Sequence, residues 1–232
     1  MLELRPYSKL GGRDRDWLST RHHFAFDDYF DPARVSWGSL RVWNDDEIAP
    51  GTGFPPHPHA NMEIVTYVLE GAVSHKDSLG NEGKTLAGDV QVMSAGTGIR
   101  HAEYNLEKSK THLFQIWIVP SREGGAPSWG TKPFPKSDRS GRFIVLASGF
   151  GEKESLPISA QARVLGATLE QGQSLLLELD GMRHAYLVPA RGEIAVNGVE
   201  AGARDGVAIM DESRLEIVAQ SDAELVLVET AD

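Results

Sequence analysis

The stretch Glu63-Ile64-Val65-Thr66-Tyr67-Val68-Leu69-Glu70-Gly71 reads as one short strand closed by a turn. Its β-branched and aromatic side chains suit a pleated, half-buried surface, and Glu70-Gly71 supplies the turn. The same unit recurs on both sides. Ser39 to Trp43 alternates in hydropathy, and Asp89 to Met93 and His112 to Val119 are strand-like, with turns expected at Asp45-Asp46, Leu79-Gly80-Asn81 and Ala87-Gly88. Further segments follow at Arg142 to Leu146, Ser174 to Leu179, His184 to Val188, Glu193 to Val196, Gly206 to Met210, Leu215 to Val218 and Glu224 to Val228. With 24 Gly and 12 Pro as punctuation and no long helical periodicity, the pattern predicts an all-β chain of antiparallel sandwiches or barrels.

A length of 232 residues allows one large β domain or two smaller ones. Pro120 to Gly141, rich in Gly, Pro and polar residues, is the expected linker, which divides the chain into 1–130 and 131–232. Tyr67 to Gly71 and Tyr186 to Gly192 are expected on equivalent strands of the two halves. Lys and Arg number 23 against 33 Asp and Glu, giving a net charge of −10. No basic run offsets that balance, so a nucleic-acid partner is not expected. Cysteine is absent, which removes disulfides, thiolate metal sites and Cys nucleophiles. No apolar run reaches the roughly 20 residues of a membrane helix, and Met1 to Pro6 lacks the plan of a signal peptide. A soluble, cytoplasmic monomer without membrane association is expected.

The histidines carry the chemistry. His57-Pro58-His59 and His101-Ala102-Glu103 each place two donors two residues apart, on one face of a strand with α-carbons about 6.6 Å apart. On neighbouring strands about 4.8 Å apart, three imidazoles and one carboxylate would converge on one ion, and 41 intervening residues leave room for the hairpins required. Elsewhere, His75 and Asp77 are also two apart, and a turn-anchoring hydrogen bond is the expected role. Phe24 and Phe26 share a strand face and fit either core packing or the wall of an aromatic site. His22 and His23 point opposite ways, so one of them can lie near a pocket. His112 and His184, in apolar runs, are expected to be structural. Gly96-Thr97-Gly98 lacks the lysine of a phosphate-binding loop, and there is no Gly-x-Ser-x-Gly elbow.

Two spaced blocks, Gly51-x5-His57-x-His59-x3-Glu63 and Gly98-x2-His101-x3-Asn105, resemble the two motifs of the cupin superfamily. Seven rather than six residues separate Glu63 from Gly71, and Gly96 stands where cupins often carry proline. Trp17-Leu18, His23-Phe24-Ala25-Phe26, Tyr29-Phe30-Asp31-Pro32, Leu40 to Asp46, Pro56 to His59 and Ser94 to Asn105 together are similar to the pirin family over nearly the whole chain. That resemblance implies a bicupin of two antiparallel jelly-roll barrels, with one metal in the N-terminal barrel and none recognisable in the C-terminal one. It implies His57, His59, His101 and Glu103 as ligands. Cupins in general use the position of Glu63 as a ligand; here it is expected behind a ligating imidazole, fixing its tautomer.

The resemblance further implies a dioxygenase that opens the heterocyclic ring of flavonols such as quercetin and releases carbon monoxide. Glu103, or Glu63 behind it, is the expected acceptor of the substrate's hydroxyl proton. Fe(II) is the first choice of divalent ion, although nitrogen and oxygen donors also suit Mn, Co, Ni, Cu or Zn. Because ligating imidazoles must be neutral, metal loss is expected as pH falls through about 6. The alternatives are a redox-neutral cupin such as an isomerase, a barrel stapled by its metal, and a pirin-type regulator that meets a protein partner without turnover.

Overall fold

The computed structural model describes residues 1–179 and 184–231. Its first strands are β1 (Leu2–Arg5), β2 (Gly11–Asp14), β3 (Leu18–His22), β4 (Leu40–Ile48), β5 (Thr52–His59), β6 (Glu63–Glu70), β7 (Ala72–Asp77) and β8 (Glu82–Leu86). Next come β9 (Val90–Ser94), β10 (Ile99–Asn105), β11 (Thr111–Ile118), β12 (Ser128–Lys132), β13 (Ile144–Ser148), β14 (Leu156–Pro157) and β15 (Ala162–Leu169). The chain finishes with β16 (Ser174–Glu178), β17 (His184–Arg191), β18 (Ile194–Val196), β19 (Val199–Ala201), β20 (Gly206–Ile209), β21 (Arg214–Ala219) and β22 (Ala223–Thr230). The only helical segments among the described residues are three short 3-10 turns, and no helix there is long and apolar enough to cross a membrane.

These strands form four sheets. A seven-stranded sheet ordered β12-β9-β6-β11-β4-β3-β2 faces a four-stranded sheet ordered β5-β10-β7-β8. The second half repeats the plan as β1-β20-β17-β22-β15-β13-β14 against β16-β21-β18-β19. Pairing is antiparallel throughout except between β13 and β14. Each half is therefore a jelly-roll barrel of the bicupin kind that the sequence predicts. β6 and β17 stand third from corresponding edges, and each ends in a glycine with positive φ, Gly71 at 73° and Gly192 at 78°. The expected equivalence of those two strands holds.

Alternation along the strands divides the apolar residues among three places. Phe114, Ile116 and Ile118 of β11 join Trp43, Tyr186, Val226 and Val228 in a core shared by the backs of the two large sheets. Leu175, Leu187, Leu215 and Ile217 fill the second barrel. The first barrel holds only small apolar groups, around Val68 and Leu113 at one end and Ile64 and Met93 at the other. Its remaining interior is polar.

Two expectations need correction. Asp45-Asp46 is no turn: β4 runs through both, because Asp45 is neutralised by Arg204 and hydrogen-bonded to His112 while Asp46 accepts from the Thr20 hydroxyl. The stretch Pro120 to Gly141 is not all linker, since β12 within it pairs along β9. Two strands tie the halves together across the division expected at residue 130. β1 pairs with β20 of the second half, where it takes the place that β12 holds in the first, and β12 itself continues to Lys132. A four-residue strand carries no sign in sequence of a partner some 200 residues away.

Candidate metal centre

The histidines meet because of a bulge. β5 is the edge strand of its sheet, and Pro55, Pro56 and Pro58 cannot donate to a ladder, which is why such a segment sits at an edge. His57 lies opposite His101 of β10, yet Glu103 lies opposite Phe54, so β5 carries one extra residue at Pro55-Pro56. The bulge re-aims the side chains that follow it. His57, His59 and His101 then bring one ring nitrogen each within 4.8 Å of one another. Their ring centroids are 4.5 to 5.0 Å apart.

The ring nitrogens are set up as lone-pair donors. His57 Nδ1–H donates to the Pro55 carbonyl at 2.7 Å, which in a neutral ring places the lone pair on Nε2. The Nε2 atoms of His59 and His101 are buried and have no hydrogen-bond partner. Orphaned buried nitrogens of this kind are costly unless a ligand satisfies them. Burial and the neighbouring imidazoles also push the proton affinity of His59 down to about 4 and that of His101 down to about 2. All three observations fit a divalent cation of the imidazole-binding type. Protons therefore compete weakly for His59 and His101.

Glu103 is fully buried beside His101, and its carboxylate is held from two sides. Gln91 Nε2 donates to Oε1 at 2.6 Å and Gln115 Nε2 donates to Oε2. Burial raises its proton affinity to about 7, against the pull of those amides. Its oxygens do not join the group of three imidazoles within 4.8 Å, although they do so with His75 and His101. Glu63 lies elsewhere. It accepts from Ser94 Oγ at 2.6 Å and from the Ser159 backbone, and it borders a cavity of about 320 Å³ at the seam between the halves. The hydrogen bond expected from a ligating imidazole to Glu63 is not found among the described residues.

A second cavity, of about 200 Å³, lies at the mouth of the first barrel and is walled by Trp17, Phe26, Phe54, His22, Asn44 and Asp46. It shares walls with the imidazoles: the Phe54 ring packs 6.3 Å from His57, and Phe26 packs on Trp117, which packs 4.9 Å from His59. Phe26 and His22 thus belong to this cavity, with His22 Nδ1 2.7 Å from Asn44 Oδ1. Phe24 and His23 belong to the seam, where both pack on Tyr186. His112 bonds Asp45 and His184 packs on Trp37, structural roles as expected. Asp46 is the residue the sequence reading missed, since an Asp-Asp pair is the usual mark of a turn. Its one available signal is a position two residues after Asn44 on a barrel strand. Burial raises its carboxyl to about 7.

Comparison with known proteins agrees with this geometry. The family profile described as Pirin matches residues 3–118, and that described as Quercetinase C-terminal cupin domain matches residues 145–230. A Pirin-like protein of Caulobacter vibrioides is 61% identical over 232 residues, covering all of both chains. A quercetin 2,3-dioxygenase of Escherichia coli is 39% identical over 228 residues, 98% of this chain and 97% of that one. The crystal structure of a bacterial pirin from Escherichia coli in complex with nickel(II) superimposes with a TM-score of 0.94 at 38% identity, covering 100% of this chain and 99% of that one. With its bicupin fold, the histidines gathered in the first barrel and these relatives over its full length, the chain belongs to the pirin family.

Proposed function

We propose that this protein is a metal-dependent dioxygenase that cleaves flavonols such as quercetin and releases carbon monoxide. The observation that carries the reading is the set of three convergent imidazoles, two of them with buried, unpartnered Nε2 atoms, beside an aromatic-walled cavity. His57, His59 and His101 would hold the ion and Glu103 would complete the set. The bound ion supplies Lewis-acid stabilisation of the substrate's deprotonated hydroxyl and the route for reaction with dioxygen. Iron is the proposed metal; the nickel complex of a relative supports a site that accepts several divalent ions.

The chain's own residues orient and exclude. Trp17, Phe26 and Phe54 offer flat apolar faces to a planar polyphenol, while Asn44 and Asp46 offer hydrogen bonds to its hydroxyls. Glu103, with its raised proton affinity, accepts the 3-hydroxyl proton on its carboxylate, and Gln91 and Gln115 keep that carboxylate fixed. Two relatives carrying the quercetin 2,3-dioxygenase name, one of them from Pseudomonas aeruginosa at 60% identity with the qualifier putative, support this substrate class. The test is metal stoichiometry after reconstitution with Fe(II), in the parent protein and in His57→Ala and His101→Ala. One ion per chain in the parent and loss in both variants is expected. Full metal content in either variant would refute the ligand assignment.

A further inference from the structure

The pair His75 and Asp77 on β7 has no part in the reading above. In the ladder between β7 and β10, Asp77 lies opposite His101 and His75 lies opposite Glu103. Both side chains are 0% exposed. His75 Nε2 is 3.0 Å from Asp77 Oδ2, and His75 Nδ1 is 3.5 Å from His101 Nδ1. Trp129 of β12 lies flat on the His75 ring, with centroids 4.7 Å apart and planes at 7°. Asp77 is fixed in turn: its Oδ1 accepts from the N–H groups of Leu79 and Asn81, and its Oδ2 from Asn81 Nδ2. The turn-anchoring role expected of Asp77 is real, and it leaves Oδ2 aimed at His75.

Proton placement follows from donor and acceptor counting. An ionised carboxylate only accepts, and Asp77 is held ionised by the donors around it, with its proton affinity below the usual range. The hydrogen between Asp77 and His75 therefore sits on His75 Nε2. A neutral imidazole protonated at Nε2 presents Nδ1 as an acceptor, and the nitrogen facing it is His101 Nδ1. That nitrogen carries its hydrogen, so the lone pair of His101 is on Nε2, the buried atom without a partner.

We propose that Asp77 and His75 are positioning residues that fix the tautomer of His101 and present its Nε2 lone pair to the metal. The inference rests on the metal-centre reading, with the relay Asp77–His75–His101 as its outer support. A second cation among His75, His101 and Glu103, whose donor atoms also lie within 4.8 Å, is the poorer use of the same atoms. It would strip the hydrogen from between the two imidazoles, which an ion held by the Nε2 side of His101 leaves in place.

The experiment uses full-length protein labelled with 15N-histidine. Ring tautomers are read from two-bond proton–nitrogen correlations in the metal-free state, and Ni(II) affinity is read by competition with a chelator. His75→Phe keeps a ring on Trp129 but has no nitrogen. His101 is expected to lose its single Nδ1–H tautomer there, and Ni(II) affinity to fall about 10- to 100-fold. His75→Asn places an amide oxygen near the lost Nδ1 and is expected to recover most of that affinity, which a purely structural role for the ring would not allow. Should His75→Phe fail to fold, Asp77→Asn is read in the same spectra, with loss of the single His101 tautomer expected. An unchanged tautomer and unchanged affinity in the variants would overturn the proposal. A parent protein that binds Ni(II) with its metal-free His101 protonated at Nε2 would overturn the relay alone. A parent that binds no Ni(II) yet keeps the Nδ1–H tautomer would overturn the metal reading and leave the relay intact.

Discussion

Replacing Asp46 by asparagine is expected to stabilise the metal-free protein, and to do so far more at pH 8 than at pH 5. Asparagine keeps an acceptor for the Thr20 hydroxyl and fills the same volume, so the main change is the charge. The buried carboxyl binds its proton with an affinity raised from 3.8 to about 7, first by burial and then by Asp45 and Glu103. Between those values the folded state holds a proton that the unfolded chain has released, so stability falls as pH rises through that window. At 1.36 kcal/mol per pH unit, the raised proton affinity of Asp46 costs the folded state about 4 kcal/mol above pH 7 and about 1.5 kcal/mol at pH 5. Hydration of the ion at the barrel mouth lowers both, and a gain about 2 kcal/mol larger at pH 8 than at pH 5 is expected. Urea unfolding of parent and Asp46→Asn at the two pH values, with chelator present, measures it. An equal difference at both values would refute the claim that Asp46 is a buried, proton-holding carboxyl.

Three further outcomes follow from the same structure. Arg204, at φ 70°, clamps Asp45 through Nε at 2.6 Å and Nη2 at 2.8 Å across the seam. Arg204→Met is expected to cost about 3 kcal/mol of unfolding free energy in urea, because a buried carboxylate loses its main partner. Trp43, fully buried in the shared core against Phe114 and Tyr186, is expected to cost about 3 to 5 kcal/mol as Trp43→Ala. Metal content followed from pH 7 downward should persist below pH 6 towards about 4, where His59 takes up its proton. Release complete by pH 6 would contradict the burial of these rings.

The sequence made the strands and the donor set legible for a physical reason: period-2 hydropathy and His-x-His spacing are local properties of the chain. Tyr67 to Gly71 could be matched to Tyr186 to Gly192 because turn glycines mark strand ends. What was not legible depends on partners distant in sequence. Asp45 and Asp46 look like a turn until Arg204, His112 and Thr20 arrive to neutralise or bond them. Glu63 follows the general cupin spacing, yet Ser94 and Ser159 draw it to the seam. Gln91 and Gln115 carry no motif, and only the barrel's closure puts both amides on Glu103. The second barrel shows the contrast, since leucines and isoleucines on β16 and β21 occupy the strands equivalent to β5 and β10.

The proposed dioxygen chemistry belongs to the imidazole cluster. Its most direct measurement is dioxygen uptake together with carbon monoxide release on quercetin, using protein loaded anaerobically with Fe(II) and His57→Ala treated alike. One dioxygen consumed and one carbon monoxide released per quercetin, both lost in the variant, is the expected result. Iron-loaded parent protein that consumes no dioxygen with quercetin, or a variant as active as the parent, would contradict it.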